Sequence, residues 1–143
     1  VVSTSGNELV LRFDDPWIGS FSALLLLPPA PGPHAAIVAH PGHGESVREH
    51  LSQRFGAGLP AAGFAVLVIE PRMHAGDEPA AALTLELLKQ GHSLVGLRVV
   101  ETLLARSYLA SRPDIDGDRI ALGVLRGERA DGVGFLQQLR VAF

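Results

Sequence analysis

Ala35-Ala36-Ile37-Val38-Ala39-His40-Pro41-Gly42-His43-Gly44-Glu45-Ser46 is the stretch on which the fold class turns. Ala35 to Ala39 is wholly apolar, the pattern of a strand covered on both faces rather than one. It ends in the proline- and glycine-containing loop from His40 to Gly44. From Glu45 to about Gly58 the apolar residues Val47, Leu51 and Phe55 recur every fourth position, which makes one stripe along a helix. A buried strand feeding a helix through a glycine loop is the repeating unit of an α/β protein with parallel strands.

On the amino-terminal side, Glu8 to Phe13 alternates polar and apolar residues and predicts a strand. Asp14-Asp15-Pro16 breaks it, and Ser20 to Leu27 predicts a second strand, closed by Pro28-Pro29 and the Pro31-Gly32-Pro33 loop. The two read as an antiparallel pair. On the carboxyl side, Phe64 to Ile69 is a second buried strand and Glu70 to Pro79 a polar loop. Ala80 to Ser111 is mostly helical, in two pieces meeting near Gly91 to Gly96. Leu97, Val100, Leu104 and Tyr108 are the expected core stripe of the second piece. Pro113 stops it, Asp114 to Arg119 reads as a turn, and Ile120 to Val124 as a last strand. The expected architecture is an α/β domain: a mostly parallel sheet with flanking helices and an antiparallel amino-terminal strand pair, all within one domain spanning 1–143.

Composition narrows the function. The 143 residues are 47% hydrophobic and 19% charged, enough apolar material for a real core. The net charge of −3 and the lack of any long basic run argue against a nucleic-acid or anionic-membrane binder. There is no cysteine, which removes disulfides and thiolate chemistry. No apolar run approaches the ~20 residues that span a bilayer and no leader pattern opens the chain, so the expectation is a cytoplasmic rather than a membrane location.

Several residue groups have side chains suited to chemistry. The His40–Gly44 loop, with uncovered amides and a helix start behind it, suits an anion or a developing oxyanion; the bland alternative is a plain strand-to-helix turn capped by Glu45 or Ser46. His40, His43 and His50 with Glu45 and Glu49 fit no zinc spacing, so no metal is expected. Asp114-Ile115-Asp116-Gly117-Asp118 begins like a calcium loop, but Arg119 and Leu125 stand where glycine and a bidentate glutamate are needed. Arg98 and Glu101, three apart, predict a solvated surface pair. Glu70, after a buried strand, reads as structural.

Asp15-Pro16-Trp17-Ile18-Gly19, Ala39-His40-Pro41-Gly42-His43-Gly44, Gly63-Phe64-Ala65-Val66-Leu67, Gly96-Leu97-Arg98 and the stretch from Ser111 to Ala121 occur in that order. Over about Trp17 to Gly123 the chain resembles the α/β-hydrolase superfamily, in particular its acetyl-xylan-esterase-like and dienelactone-hydrolase-like serine hydrolases. Arg112 to Ala121 is the most specific part. The resemblance implies an α/β-hydrolase fold, here its amino-terminal half, a carboxylic-ester substrate and no cofactor. It also implies an oxyanion hole from the amides of Gly42, His43 and Gly44 and of Arg126, and a nucleophile elbow at Gly123-Val124-Leu125-Arg126-Gly127.

The elbow pattern is G-x-S-x-G. Both glycines stand, but Leu125 holds the serine position, and a hydrocarbon cannot attack a carbonyl. In the family the acid and the histidine follow the serine; here Asp131 comes too early, and the histidines at 34, 40, 43, 50, 74 and 92 all precede the elbow. The expectation is a catalytically inactive, truncated or frame-shifted reading of a longer hydrolase. Two alternatives are an ester hydrolase, when complete or through Ser93, and a module binding a small ester or carbonyl ligand on the His40–Gly44 loop. Ser93 enters because Gly91-His92-Ser93-Leu94-Val95-Gly96 is an elbow with its second glycine displaced, provided Leu83 to Leu88 is a strand. An incomplete sheet would leave the outer edge of the last strand exposed, and self-association through it is expected.

Overall fold

The structure, a computed structural model, describes residues 1–41, 47–50, 58–70 and 77–124. Strands β1 (Ser3–Ser5), β2 (Glu8–Asp15), β3 (Gly19–Leu26), β4 (His34–His40), β5 (Ala65–Glu70) and β6 (Ile115–Val124) form one sheet in the order β1-β2-β3-β5-β4-β6. The sheet is mixed. Ladders from β1 to β2, β2 to β3 and β3 to β5 are antiparallel, whereas β4 pairs parallel with both β5 and β6. The helices are α1 (Val47–His50), α2 (Gly58–Ala61), α3 (Asp77–Lys89) and α4 (Leu94–Ala110). Leu51 and Phe55 of the expected first helical stripe lie outside the described residues.

The β2–β3 connection explains its odd sequence. Asp15 Oδ1 accepts the Trp17 amide at 2.8 Å and the Ile18 amide at 3.0 Å, so the aspartate replaces a backbone turn bond around Pro16. The register then runs unbroken from Asp15 opposite Gly19 to Glu8 opposite Leu26. The Ser3–Ser5 strand carries no apolar alternation, and all three residues are exposed, which is why patterning misses it.

Period-two alternation divides the core between the two sheet faces. Leu11, Phe21, Ala23, Leu25, Ala36, Val38, Leu67 and Ile69 pack on one face with Ala105 and Leu109 of α4. Leu24, Ala39, Val66 and Val68 pack on the other with Val47 of α1 and Leu59 of α2. β5 therefore has no outward face and is fully buried from Ala65 to Ile69. Phe13 stacks on Phe21 with ring centroids 4.7 Å apart, and the edge of Tyr108 meets Phe13, tying α4 to the antiparallel strands.

Three expectations need correction. Glu70 to Pro79 is not all loop: Glu70 ends β5, and Asp77 to Pro79 open α3. The buried row of α4 is Leu97, Glu101, Ala105 and Leu109, with Leu104 and Tyr108 on its flank and Val100 exposed. A carboxylate in the middle of that row hides it from a hydrophobicity count. Asp114 to Arg119 is mostly strand: β6 starts at Ile115, yet Ile115 pairs with His34 while Ile120 pairs with Ala36. The four intervening residues bulge out of the ladder, and there Asp116 pairs with Arg119 and accepts the Asp118 amide. The aspartate turn chemistry is present, inside a bulged strand.

Candidate functional site

β4 lies between β5 and β6, so the connection from β4 runs outward to β5 and the next one returns past β4 to β6. Chain order reverses there, and in open α/β sheets ligands bind outside the carboxyl ends of the strands at such a point. The last register pair is His40 with Val124. The two segments singled out in the sequence, the loop after His40 and the elbow position after Val124, thus begin from adjacent strand ends. Gly42, His43, Gly44, Leu125 and Arg126 themselves lie outside the described residues, as do Glu45 and Ser46.

Beneath this end the packing is close. Gly123 is buried, and a Cβ built there would stand 3.2 Å from Ile37 Cγ2 and 3.9 Å from Ala39 Cβ. A side chain at position 123 would therefore press on Ile37 of β4. His40 follows Val38 on the face that α4 covers. Its Nε2 is 2.7 Å from Thr102 Oγ1, and Thr102 Oγ1 donates to the Arg98 carbonyl at 2.8 Å. One turn along α4, Arg98 Nη1 donates to Glu101 Oε2 at 2.9 Å. Glu101 is 0% exposed and the Arg98 side chain 23%, so the pair is not the solvated surface contact that its spacing suggests. Sequence reasoning passed over Thr102 and misplaced Glu101. The available signal was the apolar row at 97, 105 and 109, which puts position 101 inward whatever occupies it.

Ser93 is placed elsewhere. Leu83 to Leu88, the strand that an elbow at Ser93 needs, lies within α3. Ser93 is the N-cap of α4, and its Oγ accepts the Gly96 amide at 3.0 Å. Its hydroxyl does capping work between two helices.

The opposite, amino-terminal end of the parallel strands carries a second polar group. Arg112 Nε and Nη2 meet Asp114 Oδ1 and Oδ2 at 2.8 and 2.6 Å, and Arg112 Nη1 donates to Tyr108 Oη at 2.8 Å. The guanidinium holds the Asp114 carboxyl below its ordinary value, chiefly by hydrogen bonding and against a smaller desolvation cost. The Asp114 carbonyl accepts the His34 amide, which starts β4 beside β6. Among the described residues no three histidine, aspartate or glutamate side chains are grouped to hold a metal ion.

No family model and no curated protein matches the chain. Solved structures do. A protein of Bacteroides fragilis NCTC 9343 assigned as an acetyl xylan esterase superposes with a TM-score of 0.71 at 17% identity, over 83% of this chain and 38% of that one. The acetyl xylan esterase of Paenibacillus sp. R4 gives 0.56 at 20% identity, over 85% and 46%. The thermostable carboxylesterase EstE1, from a metagenomic library, gives 0.55 at 18% identity, over 87% and 38%. The fold is thus α/β-hydrolase-like, and the chain spans less than half the length of each of these structures.

Proposed function

We propose that this chain is the amino-terminal part of an esterase-like α/β-hydrolase domain and is catalytically inactive as it stands. The observation that carries this is the end of β6. Gly123 packs against Ile37 beside the end of β4, on this reading it is the elbow's first glycine, and the position two residues on is Leu125. An acyl transfer needs a nucleophile there, and an alkyl group supplies neither a lone pair nor an acidic proton. The oxyanion-hole role of the Gly42–Gly44 and Arg126 amides is retained as part of this reading, because that role needs backbone donors only.

The test is p-nitrophenyl acetate turnover together with labelling by a fluorophosphonate probe. Turnover at the buffer rate and no covalent adduct are expected. An adduct on any serine, Ser93 included, overturns the reading. A non-hydrolytic role, in which the carboxyl ends of β4 and β6 bind a small ester, carbonyl compound or anion, is favoured by the switch point between these strands. It predicts a rise in melting temperature with acetate or a short ester and no adduct.

A further inference from the structure

The protonation pattern of His40 follows from atoms already described. Thr102 Oγ1 lies 2.8 Å from the Arg98 carbonyl oxygen and 2.7 Å from His40 Nε2. A hydroxyl has one proton, and a carbonyl oxygen can only accept. The Thr102 proton therefore goes to Arg98, an ordinary back-bond within a helix. What Thr102 turns toward the imidazole is a lone pair, so the bond between them is a donation from His40 Nε2–H. In the neutral ring this leaves Nδ1 as the unprotonated nitrogen.

We propose that Thr102 is a positioning residue that fixes His40, at the carboxyl end of β4, as the Nε2–H tautomer. Nδ1 is bonded to the ring carbon that carries Cβ, so it is the ring nitrogen nearer the backbone. It presents an acceptor, and whatever meets it, chain or ligand, must be an N–H or O–H donor. The consequence deepens the proposed function and rests on it for the site's location. The neutral imidazole adds no second donor for an anion or oxyanion, so that work is left to backbone amides. Arg98 and Glu101 pair on the same turn of α4 as Thr102, and the carboxylate is fully buried there.

The inference is read without any ligand, by long-range nitrogen–proton correlation of the 15N-labelled chain at a pH where the ring is neutral. The His40 signals are assigned by their loss in H40Q. Wild type and T102S are expected to show the Nε2–H signature alone. T102V, which keeps the shape and removes the hydroxyl, is expected to lose that single signature and populate the Nδ1–H form, with an amide spectrum that stays folded. An Nδ1–H ring in the wild type, or a T102V ring indistinguishable from it, overturns the assignment. Neither result depends on turnover or ligand binding, so failure of the functional reading is seen separately.

Discussion

Arg112 and Asp114 form a two-point pair whose side chains are only 18% and 31% exposed, and the pair holds the start of β6 against the end of α4. Planar guanidinium and carboxylate geometry makes this a stronger contact than a flexible surface ion pair. D114N is expected to lower stability by about 1 kcal/mol, measured by urea unfolding. The pH dependence has a definite sign. Asp114 titrates lower in the folded chain than in the unfolded one, so its contribution is complete above the unfolded value of about 3.9 and is lost as pH falls through the folded one. The slope of stability against pH should flatten in that acid window in D114N and stay unchanged near neutrality. Glu101 makes a second residue-scale case. R98A leaves a fully buried carboxylate without its guanidinium and is expected to destabilise by about 3 kcal/mol. Replacing both with apolar residues, as R98M/E101L, should cost less than R98A alone. A double variant at least as unstable as R98A would show that the orphaned carboxylate is not the source of the R98A loss.

At the scale of elements, β4 and β6 meet through Gly123. G123A brings a methyl group within 3.2 Å of Ile37 Cγ2, so a side chain in the middle of a packed strand must shift. A loss of about 1–2 kcal/mol is expected in thermal or urea unfolding, and wild-type stability in G123A would remove close packing as the reason for this glycine. The same elements show what a sequence makes legible. β4 and β5 are legible because strands buried on both faces carry uninterrupted apolar runs, and the break between α3 and α4 because glycines bound the stretch from Gly91 to Gly96. β1 was not readable, since three exposed polar residues carry no period. The bulge in β6 has the sequence of a turn because its first aspartate does make a turn bond, and only pairing with β4 reveals the strand around it. In α4 the inward row was displaced because Glu101 is charged, and burial of a charge is decided by a partner that hydrophobic patterning does not weigh. Of the candidate site, the placing of His40 and Gly123 at neighbouring strand ends is legible from strand–loop order. The Thr102 contact, which joins residues 62 apart in the chain, was not.

For the whole molecule the decisive feature is the outer edge of the sheet. Among the described residues β6 has one neighbour, β4. Ile120, Ala121 and Leu122 are half-buried, whereas the equivalent apolar residues of β5, paired on both sides, are fully buried. The lower part of the edge is protected in the usual way, by a bulge and by Asp116, Asp118 and Arg119. The upper part, Ile120 to Gly123, has neither charge nor proline to deter pairing. We propose self-association through this edge, since a two-fold axis beside β6 would set the same segment antiparallel to itself and satisfy both edges at once. Light scattering is expected to show mass rising from monomer to dimer with concentration. A121K, placing a cation on this edge opposite the face of Ile120 and Leu122, should shift the transition to higher concentration. A monomer at every concentration from micromolar to millimolar would mean that the edge is closed within the chain itself, and pairing between copies would then have no part in how this fold is stabilised.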